Sequence, residues 1–233
     1  MLVFLILKCY KSQIILKNEL SLKIIIIGAG GFGKEVLSTI LECNKIKEQF
    51  DILGFVDDDQ SLKDSSVNNF PVLGNLNWFL KSDLFPLACY VAIGDPKIRK
   101  EIILKLKSHD INFPKIIHPT VSISEHSFID DGTIIQRGSI LSTNIKIGKF
   151  AYVNFNSTIG HDCILDDFVT ISPGCNVSGE NFLEEGVFFG SGVVTSDKLK
   201  IGKWSHIGAG SIITKNIPKN SLHFAASGKL KTI

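Results

Sequence analysis

The stretch from Asn156 to Gly179, NSTIGHDCILDDFVTISPGCNVSG, carries an apolar residue at every sixth position. The same phase extends in both directions, from Ile117 to Ile213, and sixteen of its seventeen positions are apolar, with Thr195 as the exception. Neither the 3.6-residue period of a helix nor the alternation of an ordinary strand produces this pattern. A period of six is typical of a parallel β-helix, in which stacked coils bury one continuous apolar column.

A second column supports this interpretation. Four positions after the apolar residue, a small residue recurs, at Ser127, Thr133, Ser139, Ala151, Ser157, Cys163, Cys175, Ser205 and Ser211. About three hexads make one triangular coil, and a small side chain suits a tight corner of the chain. We therefore predict a left-handed parallel β-helix over residues 116–217, followed by a C-terminal tail over 218–233.

Upstream, the segment LKIIIIGAGGFGKEV begins at Leu22 and reads as a β-strand, a glycine-rich turn and a helix. Gly28, Gly30 and Gly33 match GxGxxG in the context that this motif requires. The start of the helix offers free N–H groups to a phosphate. These features predict a nucleotide-binding domain.

Two further strands complete that domain. ILGFV is followed by Asp57 and Asp58, and CYVAIGD ends at Gly94 and the following acid. Acids and glycines at strand ends are where α/β sheets bind ligands. The pattern changes near residue 115, so we predict a Rossmann-like half domain over residues 22–115. It is too short for a complete dinucleotide fold, which disfavours an NAD-dependent enzyme. Residues 1–21 form a leader of unknown role.

Composition narrows the function classes. The 233-residue chain has a net charge of +2 and no long basic run, so nothing in the sequence points to nucleic acid. The apolar run from Leu2 to Leu7 is too short to cross a bilayer. The five cysteines are scattered, without a CxxC pair, which fits reduced thiols in the cytoplasm.

His161 and Asp162 occupy the two middle positions of one hexad. There the imidazole could act as a general base, with the carboxylate orienting it and stabilising its charged form. A solvated polar pair on a surface turn is an equally good interpretation of these two residues alone.

The order of the predicted domains and motifs along the chain resembles that of the sugar acyltransferases of the hexapeptide-repeat superfamily. That group includes bacterial sialic acid O-acetyltransferases and UDP-4-amino-sugar N-acetyltransferases. The resemblance covers about residues 23–222 and rests on IIIIGAGGFGKEV, GFVDDD, VAIGDPKIRKEI, IHPTVSIS, NSTIGHDCILDDFVTISPGCNVSG and IGAGSIITKNIPKNSL. It implies an acetyl-CoA-dependent transferase in surface-glycan biosynthesis, assembled as a homotrimer and using no metal.

The resemblance also implies roles for single residues. His161 would deprotonate the acceptor, and Asp162 would raise its basicity. Acetyl-CoA would lie between subunits near Thr170, Gly179, Ser191 and Ala209. The nucleotide-sugar would contact Gly30, Gly31, Phe32, Asp57, Asp58 and Gly94, and its sugar end would reach the catalytic histidine.

Three departures from the family pattern weaken parts of this assignment. Thr170 stands where some relatives have a second histidine that contacts the acetyl group. Phe32 replaces a histidine often found in the glycine loop. The tail HFAASGKLK lacks the GxPAK-like ending that borders the coenzyme groove.

Other readings remain open. An amino group of a UDP- or dTDP-amino-sugar is the favoured acceptor, with a hydroxyl of sialic acid or a related sugar as the alternative. A second alternative is a non-catalytic protein that binds a nucleotide-sugar. A zinc enzyme of the γ-carbonic anhydrase type would need three converging histidines, but His126, His161 and His206 occupy different hexad positions. The acyl chain length of the donor and the pathway are not readable from the residues.

Overall fold

The computed structural model describes residues 21–85 and 87–225. Nearly all of the leader assigned to residues 1–21, and the end of the tail beyond residue 225, lie outside the described residues. Within the described part, no helix is both long and apolar enough to span a bilayer.

A six-stranded sheet forms the core of the N-terminal domain. Its strands are β1 (Leu22–Ile27), β2 (Phe50–Val56), β3 (Ser66–Val67), β4 (Phe70–Gly74), β5 (Leu87–Val91) and β6 (Ile111–Asn112), in the order β3-β4-β2-β1-β5-β6. All neighbours pair in parallel except β3 with β4. The predicted Rossmann-like fold is confirmed: the sheet is short and mostly parallel, with the carboxyl ends of β1, β2 and β5 at a common edge.

Helices cover this sheet. They are α1 (Gly31–Ile46), α2 (Leu76–Leu80) and α3 (Pro96–Leu106), with a short 3-10 turn over Gln60–Leu62. The apolar face of α1 is buried at Val36, Leu37 and Ile40. Asp95 is the N-cap residue of α3, and its carboxylate accepts hydrogen bonds from two backbone N–H groups of the first turn.

The second domain is the predicted left-handed parallel β-helix. Its two-residue strands are β7 (Ile116–Ile117), β8 (Phe128–Ile129), β9 (Ile134–Ile135), β10 (Ile140–Leu141), β11 (Lys146–Ile147), β12 (Tyr152–Val153), β13 (Thr158–Ile159), β14 (Ile164–Leu165), β15 (Thr170–Ile171), β16 (Asn176–Val177), β17 (Phe182–Leu183), β18 (Phe188–Phe189), β19 (Val194–Thr195), β20 (Lys200–Ile201), β21 (His206–Ile207), β22 (Ile212–Ile213) and β23 (Leu222–His223). Partners such as Ile140 and Thr158 are 18 residues apart, so one coil contains three hexads.

Three flat faces result, each a parallel sheet. The domain face contains β7, β9, β12, β15, β18, β21 and β23. The catalytic-side face contains β10, β13, β16, β19 and β22, and the third face contains β8, β11, β14, β17 and β20. Every apolar residue of the six-residue period from Ile129 to Ile213 lies in one buried cluster. The exception, Thr195, is also buried, and its hydroxyl accepts hydrogen bonds from Ser178 N and Asn181 Nδ2.

The recurring small residues line the corners, as predicted, and they also form hydrogen bonds. The hydroxyls of Thr133, Ser139 and Ser157 each donate to a backbone carbonyl fifteen residues further on, at 2.8–3.1 Å. Each therefore ties one turn of the coil to the next turn without adding volume. This explains why the position favours serine, threonine and cysteine.

The last coil differs from the sequence prediction. His206 and Ile207 pair with Leu222 and His223, an offset of 16 rather than 18, so the final coil is two residues shorter. The six-residue count therefore loses phase after Ile213 and would place Lys219 in the interior. This is why the boundary set at residue 217 puts the last strand in the tail.

Candidate active site

His161 and Asp162 lie at the corner between β13 and β14. The side chains are 55% and 48% exposed, and Nδ1 of His161 is 2.8 Å from Oδ2 of Asp162. An ionised carboxylate can only accept, so Nδ1 carries the proton and donates it to Asp162. In the neutral imidazole the lone pair is then on the other ring nitrogen, Nε2. This is the tautomer that a general base needs.

The backbone fixes where Asp162 points. Its φ is +59°, in the left-handed region that few residues other than glycine, asparagine and aspartate adopt readily. Its second carboxylate oxygen, Oδ1, accepts a hydrogen bond of 3.0 Å from Nδ2 of Asn144 on the preceding coil. The hydrogen bond from His161 and, to a smaller extent, the one from Asn144 hold the pKa of Asp162 below its ordinary value.

Gly179 lies one coil above His161, against the face of the imidazole. A Cβ placed on Gly179 would come within 2.6 Å of Nε2 and 2.7 Å of Cε1. The space occupied by the ring therefore exists because this residue has no side chain. The N–H of Gly179 donates to Oδ1 of Asp197 at 3.0 Å.

The glycine loop of the N-terminal domain is open at the start of α1. Gly30 is the N-cap residue and supplies no side-chain acceptor, and no acid stands in the first turn. Gly30 and Gly31 are exposed, and a Cβ on either would meet no atom within 4 Å. Unsatisfied N–H groups at an open helix N-terminus form a site for phosphate oxygens.

The two predicted acids after β2 both accept backbone hydrogen bonds. Oδ2 of Asp57 accepts from Ala29 N at 2.7 Å, which ties the glycine loop to β2. Oδ1 of Asp58 accepts from Leu76 N at 2.8 Å, at the first residue of α2. The other oxygen of Asp57, Oδ1, accepts from Asp59 N at 2.8 Å, so both oxygens of this acid bond to backbone N–H groups at the edge of the site.

Beside these acids, a cleft of about 340 Å³ opens at the ends of β2 and β4. Its lining includes Asp59, Lys63 and the ring of Trp78, which is 43% exposed. The sequence reasoning did not single out Trp78, because nothing near it has a recognisable motif. An exposed indole in a cleft suits stacking against a planar ring.

Gly94 is exposed at the end of β5, beside a buried arginine that the sequence reasoning missed. Arg99 is 0% exposed and donates to the carbonyls of Ile93, Gly94 and Phe168 at 2.8–3.2 Å. It also donates to Oγ1 of Thr170 at 2.9 Å and stacks 3.8 Å from the centre of a tyrosine ring. Thr170 is buried, and its hydroxyl is engaged within the chain.

The remaining predicted residues are split between the two domains. Phe32 packs on Tyr152 of the domain face, with ring centres 4.7 Å apart. Ser191 and Ala209 are exposed at one position of successive coils, at the corner joining the domain face to the catalytic-side face. Gly179 stands at the opposite border of the catalytic-side face.

Within one chain, the predicted nucleotide-sugar site and the predicted catalytic histidine lie apart. The N-terminal domain packs on the domain face, where Ile134 and Tyr152 join its hydrophobic cluster. His161 lies at the corner between the other two faces, which is the edge of the triangular coil opposite the domain face. A sugar held at Gly94 is therefore on the far side of the coil from the histidine of the same chain.

The catalytic-side face carries exposed apolar residues at both ends of its outward row. Ile140, Val194 and Ile212 are 65%, 37% and 71% exposed. Two polar residues, Thr158 and Asn176, lie between Ile140 and Val194, and the Thr158 hydroxyl donates to Oδ1 of Asn176 at 2.8 Å. Exposed apolar residues grouped on one flat face suit a protein–protein contact.

Among residues 21–85 and 87–225 there is no cluster of three or more histidine, cysteine or acidic residues that could hold a metal. His126, His161 and His206 lie on different coil positions, with His206 in β21 of the domain face stacked on Phe188.

Comparison with known proteins relates both domains to sugar-modifying enzymes. Residues 23–106 match the model of the PglD N-terminal domain. The GDP-perosamine N-acetyltransferase of Escherichia coli O157:H7 is 35% identical over 172 residues, which are 72% of this chain and 76% of that protein.

Solved structures agree over nearly the complete length. The acetyltransferase domain of PglB from Neisseria gonorrhoeae, in complex with acetyl coenzyme A, superposes with a TM-score of 0.80 at 29% identity, covering 88% of this chain and 97% of that one. A histidine-to-asparagine variant of perosamine N-acetyltransferase from Caulobacter crescentus, in complex with CoA and GDP-perosamine, gives 0.80 at 25% identity, covering 91% and 97%.

Proposed function

The chain belongs to the family of hexapeptide-repeat sugar acyltransferases, and we propose that it transfers the acetyl group of acetyl-CoA to the amino group of a nucleotide-linked amino sugar. The observation that carries this proposal is the His161–Asp162 pair on a rigid corner, with Nδ1 bonded to the carboxylate at 2.8 Å and Nε2 free to accept a proton.

In this mechanism the neutral acceptor amine attacks the thioester carbonyl while Nε2 of His161 takes its proton. Asp162 stabilises the imidazolium that forms. The negative charge on the carbonyl oxygen is stabilised by a backbone N–H, and collapse of the tetrahedral intermediate breaks the C–S bond and releases CoA. The proton held by His161 can then pass to the leaving sulfur. No covalent enzyme intermediate is required, because both substrates are positioned on rigid surfaces.

The N-terminal domain supplies the sugar-nucleotide site. Its open helix N-terminus at Gly30 and Gly31 suits the diphosphate, and the cleft with Trp78 suits the nucleobase. Relatives named for GDP-perosamine make a GDP-linked 4-amino sugar the first acceptor to test, ahead of the UDP- and dTDP-linked sugars.

The proposed active form is a homotrimer in which each site is shared by two chains. Two observations support it: the exposed apolar residues Ile140, Val194 and Ile212 on the catalytic-side face, and the position of His161 on the edge opposite the N-terminal domain. Acetyl-CoA would then lie between neighbouring coils, where Gly179 of one chain and Ser191 and Ala209 of another border the same groove. Closed cyclic assemblies of identical chains are common.

We also propose a cytoplasmic location. Cys43, Cys89, Cys163 and Cys175 are free and buried, which fits a reducing compartment. Burial raises the pKa of the Cys43, Cys163 and Cys175 thiols to about 11, so they are protonated and chemically inert at neutral pH.

The test is CoA release from acetyl-CoA with a panel of GDP-, UDP- and dTDP-amino-sugars, CMP-sialic acid and free sialic acid, for the wild type and His161→Ala. We expect turnover with one amino-sugar nucleotide and a loss of about 10²- to 10⁴-fold in the variant, the usual contribution of a general base.

Mass spectrometry of the product distinguishes N- from O-acetylation. Turnover with a sialic acid alone would replace the amine by a hydroxyl acceptor. No turnover with any acceptor, or turnover unaffected by His161→Ala, would overturn the proposal.

A further inference from the structure

One corner of the β-helix carries a ladder of polar residues, which we call the Asn144 ladder. Its members are Asn144, Asp162, Glu180 and Lys198, each 18 residues after the last and each with φ between +57° and +61°. Successive coils stack directly, and two of the three neighbouring pairs in this ladder are joined through their side chains, Asn144 with Asp162 and Glu180 with Lys198. Glu180 and Lys198 pair at 3.5 Å.

The lower rungs of the ladder reach the catalytic pair. Asn144 Nδ2 donates to Oδ1 of Asp162 at 3.0 Å, and Oδ2 of the same carboxylate accepts from His161 Nδ1 at 2.8 Å. The two oxygens of Asp162 are thus held from opposite sides. A carboxylate held only by His161 could turn about its Cβ–Cγ bond, and the imidazole would turn with it.

We propose that Asn144 is a positioning residue for acetyl transfer, because its amide fixes the Asp162 carboxylate in the orientation that holds His161. This inference rests on the proposed function, since His161 must be the base for the orientation to matter.

The amide is chemically suited to this place. It donates to the carboxylate at every pH at which the protein is folded, whereas a lysine or histidine there would add charge and compete with His161 for the same acid. Asparagine also adopts the required φ of +57° at little cost.

Other charged groups approach the pair from the coils above it. Glu180 N donates to the carbonyl of His161, and the Glu180 carboxylate is paired with Lys198. Asp197 bonds to the N–H of Gly179. On the coil below, the contacts come from Asn144 and from the carbonyl of Thr143, which accepts from Asp162 N and does not titrate. Asn144 is therefore the neighbour to change without altering these charges.

The experiment compares Asn144→Gly with Asn144→Asp. Glycine tolerates the positive φ and deletes the amide, while aspartate keeps the shape but turns the donor into a second carboxylate. The matched controls are Asn220→Gly and Asn220→Asp, at an exposed asparagine with φ +58° on the last coil, away from His161. Melting curves check that all four variants fold.

Two readouts are used. The first, independent of activity, is the ¹³C carboxyl NMR titration of Asp162, assigned by its loss in Asp162→Asn. Since the Asn144 hydrogen bond lowers the pKa of Asp162, we expect the midpoint to rise in Asn144→Gly and to rise further in Asn144→Asp, with no change in the controls. The second is steady-state kinetics. There kcat falls by about five- to tenfold in Asn144→Gly, with both KM values within about twofold, as expected for a lost hydrogen bond to a charged group.

A titration of Asp162 that does not move, or a kcat within twofold of the wild type in both Asn144 variants, would overturn the inference. Failure of the proposed function itself is distinguishable, because it would appear as wild-type turnover that does not depend on His161.

Discussion

At the scale of single residues, the position of the proposed base depends on an absent side chain. Gly179 leaves the space in which the His161 ring lies, and its backbone has no positive φ that would demand glycine. The reason for glycine here is therefore the ring and not the turn. Among the residues assigned to the cofactor by resemblance, Gly179 is the one that touches the base.

Gly179→Ala should consequently displace the imidazole without unfolding the chain. The new Cβ would lie 2.6 Å from Nε2, closer than carbon and nitrogen can approach, and the ring must turn away from Asp162. We expect kcat to fall by about tenfold or more, since small misplacement of a catalytic group is costly, with a melting temperature close to that of the wild type. Initial rates and thermal unfolding measure the two effects.

A double-mutant cycle separates this explanation from a loss of acetyl-CoA binding. In the His161→Ala background the ring is gone, so Gly179→Ala should have little further effect on kcat. An equal loss in both backgrounds, or a large rise in the KM for acetyl-CoA, would show that Gly179 acts on the coenzyme instead.

At the scale of elements, the sequence predicts most of the β-helix because its period is local. Each hexad places one apolar side chain inside and one small residue at a corner, so Ile159 and Cys163 could be assigned without knowing the rest of the fold. Contacts between coils, such as the one between Asn144 and Asp162, depend on which residues of successive coils lie directly above one another. The sequence indicates about three hexads per coil, and the structure shows the stacking of individual side chains. The shortened last coil could not be predicted because a two-residue deletion has no compositional signal.

Contacts between the two domains are similarly hidden. Arg99 stands in the middle of an ordinary amphipathic helix, and nothing near it indicates that the guanidinium is buried. The structure shows why it is: Arg99 closes the junction by donating to carbonyls on both sides of it, at Gly94 and at Phe168.

Arg99→Met should therefore weaken the junction. Methionine keeps much of the volume but leaves buried carbonyls of both domains without a donor, so we expect the free energy of unfolding to fall by about 3 kcal/mol. Lys105→Met, an exposed residue of the same helix, is the control and should change it by less than about 0.5 kcal/mol. Urea unfolding of both variants measures the difference. Equal stability of the two variants would mean that the hydrogen bonds of Arg99 contribute no net stability.

At the scale of the whole molecule, the two halves of the site face away from each other within one chain. The loops proposed to bind the sugar adjoin the domain face, and His161 occupies the opposite corner. Under the proposed mechanism, a chain can complete the reaction only if a neighbouring copy supplies the missing half. The exposed apolar side chains of Ile140 and Ile212, at the two ends of the catalytic-side face, offer a surface for that contact.

Complementation between two inactive chains tests this shared site. His161→Ala retains the sugar site and lacks the base. Gly31→Glu retains the base but places a carboxylate in the first turn of α1, where it repels a diphosphate without straining the helix. Co-expression in equal amounts should restore about a quarter of the wild-type activity, because each shared site then has one chance in four of combining the intact half of each chain. The two purified proteins combined after assembly should remain inactive, and Ile140→Asp added to both chains should abolish the recovery by preventing association. If co-expressed chains recover no activity although they co-purify, the sugar and the base must come from the same chain, and the trimeric arrangement with sites between subunits would be wrong.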